Sequence, residues 1–293
     1  METSIEQPPT AHEGSASFRS PPGPSLRGMV LGYHGYRLPQ GLSRCRLEIP
    51  DGVVTVVVNL AGELHLTAGG ERAGASSFLS GLRTTPTRGT HAGGLHGIEV
   101  TFTPLGAYQV FGIPMRQFTE NFVDLTDVLG PTAPNLVERL WHARSWPERF
   151  ALLDAVFSGL SEHGGVVSPQ VRSALALLRS DRQPGALARI CREVGWSPRH
   201  LRSGFSQQVG LSPKAVTRVA RLQRALRLQT MGLDGARVAA HGGFHDQAHC
   251  IREFRAMTGL TPSRFALLRA GLPAGSPLDR VAGRVTSLLL EGG

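Results

Sequence analysis

The sequence has little cysteine, almost no lysine and few aromatic residues. Its 293 residues include three cysteines, Cys45, Cys191 and Cys250, which are widely spaced and form no Cys-x-x-Cys pair. This pattern excludes a disulfide framework and a cysteine-based zinc site as organising features, so we interpret each cysteine as a small buried residue. Lys214 is the only lysine among 31 basic residues, a bias of the whole chain that we attribute to coding composition.

Long hydrophobic runs are also missing. The longest apolar stretches, such as residues 53–58 and 288–290, fall far short of the roughly 20 residues that span a bilayer. The N-terminus has neither the basic start nor the apolar core of a secretion signal. We therefore expect no membrane partner and a cytoplasmic location. With 41% hydrophobic and 18% charged residues, the chain is expected to form a packed core rather than to be disordered throughout.

Acidic residues are scarce in one part of the chain only. Residues 1–163 carry 12 basic and 15 acidic residues, whereas residues 164–270 carry 17 basic and 5 acidic residues. A basic region behind a neutral to acidic one indicates that the second region meets a polyanion. Nucleic acid fits better than a membrane surface, because the basic residues do not line one amphipathic helix.

Composition and periodicity divide the chain into five segments. We predict a disordered leader over residues 1–27, rich in Pro, Gly and Ser, and a β-rich domain over 28–130. Alternating stretches such as 46–49, 63–66 and 98–102, and the β-branched run 53–60, predict strands of a small barrel or sandwich. A helical linker over 131–166, an all-helical domain over 167–270 and a C-terminal tail over 271–293 follow.

The linker carries an apolar stripe that needs a partner. Phe150, Leu153, Val156, Phe157 and Leu160 recur at helical spacing, so the stripe either packs on its own sheet or joins two copies in a homodimer. A short helix is predicted over 104–111, ending at Gly112, and the tail is predicted to add a terminal helix.

The helical domain contains an internal repeat. Residues 187–213 and 235–262 match at the small residue in the first helix, the turn glycine, the aromatic after it, and the Gly-Leu-x-Pro ending. In each copy a glycine (Gly195, Gly243) makes the tight turn, and an aromatic residue (Trp196, Phe244) fills the core. Two such copies in a basic domain indicate a pair of helix-turn-helix units. The helix predicted over 213–230 is about 27 Å long at 1.5 Å per residue, so two second helices could reach major grooves on adjacent turns of duplex DNA.

The second copy is close to a known family signature. Residues 243–249, followed by Arg252, Phe254, the stretch 258–262 and Phe265, resemble the AraC/XylS family of bacterial transcription regulators over about 168–270. Residues 29–130 more loosely resemble the cupin-like sensor domain of some members, through 50–52, 59–60 and 102–114. The resemblance implies an α+β chain, with an N-terminal β-barrel or cupin-like domain followed by an all-α double helix-turn-helix domain. It also implies double-stranded DNA and a small-molecule effector as partners, with RNA polymerase as a further partner if the protein activates transcription.

The spacing of core residues predicts which side chains meet DNA. Leu201 and Phe205 must face the core of the first unit, and Cys250 and Phe254 that of the second. The outward residues expected at base edges are Arg199, Arg202, Ser203, Gln247, Ala248, Ile251 and Arg252. Arginines of the linking helix are assigned to phosphates or solvent, namely Arg218, Arg221 and Arg224.

Two departures from the family pattern concern glycines in the units. Gly204 lies within the second helix of the first unit, and Gly242 stands before the turn of the second, where an apolar residue is usual. We therefore expect the first unit to read fewer bases and the second to be loosely packed.

Other chemistry finds little support in the sequence. Phosphate-binding loops and nucleophile elbows are absent, and we predict no catalytic residue, no metal and no cofactor. Spacing argues against metal sites at His241, His245 and His249, and at His91, His96 and Glu99. The alternative function is a cupin-type enzyme or small-molecule binding protein whose basic helical domain serves another partner. His34, Arg46, His65 and Arg83 are candidates to point into a ligand cavity.

Overall fold

The computed structural model describes residues 15–41, 43–69, 71–180, 186–272, 274–276 and 278–290. The fold is α+β, with a strand-rich domain followed by a helical domain, which confirms the predicted fold class. Helices in the described part of the chain are all too short or too polar to cross a membrane.

Eleven described strands build two sheets. In chain order they are β1 (Ala16–Ser20), β2 (Val30–Leu38), β3 (Ser43–Glu48), β4 (Val54–Ala61), β5 (Leu64–Ala68), β6 (Glu71–Ala75), β7 (Phe78–Ser80), β8 (Thr87–Ala92), β9 (Leu95–Phe102), β10 (Phe122–Asp124) and β11 (Ser287–Leu290). One sheet has the order β1-β2-β9-β4-β7-β10 and the other the order β11-β3-β8-β5-β6. The described strands thus form two open sheets rather than one closed barrel, and every named pair of strands is antiparallel.

The β-branched run forms the central strand β4, as its sequence predicts. Val54, Val56 and Val58 are fully buried, and β4 lies between β9 and β7 in the six-stranded sheet. A central strand covered on both faces needs apolar residues at consecutive positions, because neither face meets water.

Four helices accompany the strand domain: α1 (Pro104–Phe111), α2 (Leu125–Leu129), α3 (Thr132–His142) and α4 (Trp146–Glu162). The apolar stripe of α4 packs on the chain's own sheet. Phe150 stacks on Tyr33 with ring centroids 5.6 Å apart, and Phe157 meets Phe102 edge to face at 5.1 Å. Of the two alternatives for this stripe, the structure therefore supports packing within the chain. A homodimer stays a prediction without an assigned interface.

The predicted leader is too long. Residues 1–14 lie outside the described residues, but Ala16–Ser20 form strand β1, which pairs with β2 from Ala16↔Arg37 to Ser20↔Tyr33. Phe18 of this strand stacks on Trp146 at 4.8 Å, and Leu26 in the following short 3-10 helix is fully buried. The prediction is wrong for residues 15–27 because these partners are distant in sequence, and local composition carries no sign of them.

The described residues of the second domain form seven helices: α5 (Pro169–Ser180), α6 (Ala186–Val194), α7 (Pro198–Gln208), α8 (Pro213–Thr230), α9 (Gly235–Gly242), α10 (Gln247–Thr258) and α11 (Pro262–Leu268). Helix α8 has the bounds predicted from sequence. Ser212 caps its first turn and Pro213 occupies its first position, where a missing amide hydrogen costs nothing.

The C-terminal tail is a strand and not the predicted helix. Ser287–Leu290 form β11, which pairs with β3 and so returns the chain to the strand domain. Leu288 is buried in the main core. The helix that local spacing suggested does not form, because pairing with the open edge of the sheet satisfies the backbone hydrogen bonds of this segment.

Candidate nucleic-acid interface and ligand cavity

The first helix-turn-helix unit consists of α6 and α7. Gly195 adopts a φ of 71°, the left-handed conformation that the tight turn requires, and Trp196 packs against the core after it. Ser197 then caps α7, since its hydroxyl accepts a hydrogen bond from the His200 amide at 3.2 Å. The buried face of α7 carries Leu201 and Phe205, as predicted.

The second unit, α9 and α10, has the same local construction. Gly243 has a φ of 84°, and the Asp246 carboxylate accepts a hydrogen bond from the His249 amide at 2.6 Å to cap α10. Cys250 is buried with Ala225 and Ala239 in a small separate cluster. Burial raises the pKa of the Cys250 thiol to about 11, which fits a packing role for this cysteine and not a reactive one.

The residues predicted to meet bases lie on the outer faces of the two second helices. All seven side chains are exposed: Arg199, Arg202, Ser203, Gln247, Ala248, Ile251 and Arg252. Ile251 is a large apolar residue with 40% of its surface exposed. Base contact by these residues remains a prediction, and their exposure is a necessary condition for it.

The arginines of α8 occupy three different environments. Arg218 donates through Nε to the Glu253 carboxylate at 2.6 Å and so ties α8 to α10. Arg221 is half-buried. Arg224 is buried and donates to the Gly242 carbonyl at 3.0 Å. Its predicted placement at phosphate or solvent is therefore wrong. The physical reason is that the Gly242 carbonyl, just before the turn of the second unit, needs a hydrogen-bond donor.

Both departures from the family pattern have packing reasons. A Cβ on Gly204 would lie 2.8 Å from Cγ2 of Val171, so glycine lets α7 approach α5 closely. A Cβ on Gly242 would lie 2.8 Å from the ring of Phe244. The glycines thus allow close packing at these two points, whereas the sequence suggested loose packing for the second unit.

His200, on the first turn of α7, stacks on Trp196, with ring centroids 4.1 Å apart and an angle of 3° between the ring planes.

A cavity of about 210 Å³ lies in the strand domain, lined by both sheets. This volume far exceeds the roughly 10–15 Å³ of comparable space that one water molecule needs. One part of its wall is apolar, with Phe78 and Phe122 in edge-to-face contact at 5.5 Å beside Val57 and Leu66. A space of this kind with a few polar groups is typical of a small-molecule site.

Another part of the wall carries a cluster of charged groups. Arg280, which precedes β11 in the C-terminal tail, forms ion pairs with Glu48, with Asp51 at 3.8 Å and with Glu99 at 3.9 Å. Burial acts against ionisation of Glu99, but the combined effect of Arg280, His34 and Arg46 holds its pKa well below its ordinary value. Burial raises the pKa of Asp51 to about 6.

Two further guanidinium groups line the cavity without such pairing. Arg44 and Arg83 make no ion pair with any described residue. Nε and Nη1 of Arg83 are buried without a hydrogen-bond partner among the described residues, and its guanidinium lies 4.5 Å from the ring centre of Phe122. Burial lowers the pKa of both guanidinium groups, and unpaired buried donors favour a ligand that can accept from them.

Three of the four residues predicted to point inward line this cavity: His34, Arg46 and Arg83. His65 is instead exposed and lies 3.7 Å from Glu63, because it sits on the outer face of β5. Burial lowers the pKa of His34, which favours its neutral form.

The sequence reasoning missed Arg44, Glu48 and Arg280. The first two alternate with Arg46 along β3, so the period of two could have placed all three side chains on one face. Arg280 had no such signal, since it reaches the cavity only through the fold of the C-terminal segment.

The histidines considered for metals do not come together. His91 lines the cavity and His96 packs on Trp141 and Trp146, with ring centroids 6.2 and 5.5 Å apart. Burial and the nearby Arg37 and Arg149 lower the pKa of His96 to about 4. Within the described ranges, no three or more His, Cys, Asp or Glu side chains cluster as a metal site would require.

Comparisons with known proteins cover both domains. Residues 190–267 match the family model of a helix-turn-helix domain, and residues 19–124 match that of a domain of unknown function, DUF6597. The probable thc operon regulatory protein of Rhodococcus erythropolis is 29% identical over 166 aligned residues, which cover 48% of this chain and 50% of that protein. The chain thus spans about half the length of this curated relative.

Solved structures give weaker similarities. The similarity to ToxT from Vibrio cholerae covers 80% of this chain and 97% of the ToxT chain, at 11% identity and with a TM-score of 0.46. The similarity to a predicted oxalate decarboxylase from Thermotoga maritima covers 34% of this chain and 93% of the decarboxylase chain, at 13% identity and with a TM-score of 0.26. Similarities of this size do not by themselves establish a shared fold.

The family match falls on the residues that form the paired units, α6 with α7 and α9 with α10. The relative from Rhodococcus erythropolis is an operon regulatory protein by name. The C-terminal part of this chain is therefore a helix-turn-helix domain by its family model, and it follows a strand-rich domain matched by the DUF6597 model.

Proposed function

We propose that this protein is a transcription regulator that binds duplex DNA sequence-specifically and responds to a small molecule held in its strand domain. The observation that carries the proposal is the pair of second helices, α7 and α10. Each helix buries its apolar face and leaves a row of polar and basic side chains exposed at its start. A helix-turn-helix protein uses this part of its second helix to contact base edges in the major groove.

The exposed side chains suit base recognition. Arg199, Arg202 and Arg252 can each donate two hydrogen bonds to O6 and N7 of guanine, and Gln247 can pair with adenine. Ile251 offers an apolar surface to a thymine methyl group. Ser203 and Ala248 are short and let the helix approach the groove.

The linking helix supports binding in a different way. We assign Arg221 to a phosphate, since it lies on the linking helix α8 and not on either of the second helices that carry the base-reading side chains. Arg218 is held by Glu253, the neighbour of Arg252 in α10. This ion pair positions the second reading helix, and the remaining guanidinium hydrogens are left for a phosphate.

The basic charge of the domain supplies the affinity that does not depend on sequence. Residues 164–270 carry 17 basic and 5 acidic residues, and neutralised phosphates release bound counterions. The proposal is tested by selecting bound duplexes from a random pool with the full-length chain at about 0.15 M salt. We expect two conserved blocks about one DNA turn apart. A pool that remains random after repeated rounds contradicts sequence-specific binding.

The cavity indicates the chemical class of the effector. The three carboxylates in its wall form ion pairs with Arg280 or Arg46. Arg44 and Arg83 lack an ion-pair partner among the described residues, although the charge of Glu120 acts on Arg83 from a longer distance. An anionic group on the ligand would supply that partner, and an apolar body would pack against the cavity wall formed by Phe78 and Phe122. We therefore propose a small carboxylate with an aromatic or aliphatic body as effector.

A matched pair of probes tests this class. In calorimetric titrations of the full-length chain, 2-naphthoate should bind at least about tenfold more tightly than the isosteric but neutral 2-naphthamide, because it alone forms charge-assisted hydrogen bonds. Arg83→Gln should remove the preference, whereas Arg88→Gln, a change at an exposed arginine of β8, should keep it. Equal affinities, or no binding of the naphthoate, would contradict the proposed class.

Further partners belong to the proposal without an assigned surface. They are a second copy of the chain in a homodimer and, if the protein activates transcription, RNA polymerase. A chromosomal target implies the cytoplasm as location. A role without catalysis is likewise part of the proposal and agrees with the regulator named among the relatives.

A further inference from the structure

The last described residues are part of the strand domain, although they follow the DNA-reading domain in sequence. In the C-terminal segment, defined here as residues 274–276 and 278–290, β11 adds an edge strand to β3 from Ser287↔Glu48 to Leu290↔Cys45. The Ile49 amide extends this pairing with a hydrogen bond to the Thr286 carbonyl at 2.9 Å. Thr286 and Ser287 are fully buried, so the segment is docked rather than loosely attached.

The C-terminal segment also forms part of the cavity wall. Leu278, Arg280 and Leu289 all line the cavity. Arg280 is only 12% exposed and faces carboxylates from both sheets, Glu48 of β3 and Glu99 of β9. A molecule in the cavity therefore touches the end of the chain directly.

The same segment is bonded to the DNA-reading domain at two places. At the end of α11, Arg269 donates to the Ser287 carbonyl at 2.8 Å and forms an ion pair with Asp279. On α8, the Gln223 amide group donates to the Val285 carbonyl at 2.8 Å and accepts from the Val285 amide at 3.2 Å. It also donates to the Pro50 carbonyl at 2.9 Å, beside the end of β3.

These contacts link the cavity to α8, the helix that joins both reading units. We propose that the C-terminal segment completes the ligand cavity and transmits its occupancy to the DNA-reading helices through Arg280, β11 and Gln223. The inference rests on the proposed function in treating the cavity as the effector site. Occupancy regulates because a bound molecule contacts Leu278 and Leu289 only while the segment is docked, which gives the docked and undocked states different affinities for it.

Coupling of this kind must be reciprocal: the probe changes the affinity for DNA by the same factor as DNA changes the affinity for the probe. For the full-length chain, we expect 2-naphthoate to change the dissociation constant of a selected DNA site by about fivefold or more, a usual size for such coupling. Gln223→Ala should reduce this factor to less than about twofold. It should leave naphthoate affinity nearly unchanged, because Gln223 is outside the cavity wall.

A second glutamine on α8 provides a matched control. Gln229 donates to the Pro262 carbonyl at 2.5 Å, inside the DNA-reading domain and away from the segment. Gln229→Ala should therefore keep the coupling factor even if it lowers stability. Loss of coupling in both variants, or in neither, overturns the inference.

Hydrogen exchange tests docking without relying on one ligand. Either 2-naphthoate or the selected DNA should change amide protection in residues 285–290 and in β3 of the wild-type chain, and Gln223→Ala should abolish the effect of DNA on β3. Unchanged protection with both ligands at saturation overturns the inference even where DNA binding itself is intact. If the chain selects no DNA, the proposed function fails. A naphthoate-induced change of amide protection in α8 that Gln223→Ala removes would still support the C-terminal segment as the link between the cavity and α8.

Discussion

Arg269, at the end of α11, and Asp279, in the C-terminal segment, form an ion pair whose side chains are 1% and 0% exposed. The same carboxylate accepts hydrogen bonds from the amides of Gly275 at 2.8 Å and Thr286 at 2.7 Å. The pair therefore fixes the path of the chain between the DNA-reading domain and the strand domain.

Asp279→Ala should lower the free energy of unfolding by about 3–5 kcal/mol, since it leaves the Arg269 guanidinium buried without its carboxylate. Urea denaturation of the full-length chain measures the change. Glu63→Ala removes a carboxylate that is 88% exposed and should alter stability by less than about 0.5 kcal/mol. Similar small effects of both changes would mean that the segment does not hold the domains together.

Gly204→Ala should destabilise the protein by about 1–3 kcal/mol despite the better helix propensity of alanine, because overpacking outweighs it. The new methyl group would meet Val171 at 2.8 Å and Trp196 at 3.0 Å. Gly159→Ala in α4 serves as control, since nothing lies within 4 Å of its added Cβ, and it should stabilise by up to about 1 kcal/mol. Thermal unfolding of the two variants distinguishes them, and a stabilising Gly204→Ala would contradict the close packing of α7 on α5.

Arg252→Ala should cost about 1–3 kcal/mol in affinity for a selected DNA site and relax base preference at one position. The side chain is exposed near the start of α10, on the face opposite buried Phe254. Repeating the selection with the variant measures the preference. A uniform loss of affinity, with base preference unchanged at every position, would place Arg252 outside the base-reading face.

Arg221→Ala should weaken binding to all sequences about equally. As a phosphate contact it should lower the slope of log affinity against log salt by about 1. Titrations of specific and random duplexes at several salt concentrations measure this slope. An altered base preference, or an unchanged slope, would remove Arg221 from the phosphate contacts.

Asp51 should make stability fall as the pH rises from about 4 to above about 6. Burial raises the pKa of Asp51 from 3.8 to about 6. Arg280, the Val53 amide and Arg284 act to lower this pKa, and Glu48 acts to raise it further. A raised carboxyl pKa means that the folded state holds the proton more tightly, so this stabilisation is complete below the unfolded pKa and disappears through the folded one.

Asp51→Asn keeps an acceptor for the Val53 amide but cannot titrate. The difference in unfolding free energy between wild type and Asp51→Asn, followed by urea denaturation across this pH range, isolates the contribution of Asp51. A difference that stays constant, or that favours the wild type more at higher pH, would contradict the raised pKa.

The sequence by itself determined the reading domain. Helix hydrogen bonds join residues four apart, so caps, turn glycines and apolar spacing are all visible within one stretch. Ser212, Pro213 and the apolar positions after them were enough to place α8 with its observed bounds. Repetition of Gly195 and Trp196 as Gly243 and Phe244 identified the pair of units, and the outward faces of α7 and α10 followed from their buried residues.

Only the tertiary structure decided which ends of the chain belong to the strand domain. Strands β1 and β11 satisfy their backbones through partners far away in sequence, and pairing of that kind leaves no local pattern. For the same reason the cavity could not be assembled from the sequence: Arg44 and Glu48 share a face of β3, but Arg280 reaches them from 232 residues beyond Glu48. The role of Gln223 depends on the same long-range docking, because its partners at Pro50 and Val285 come together only when the C-terminal segment returns to the sheet.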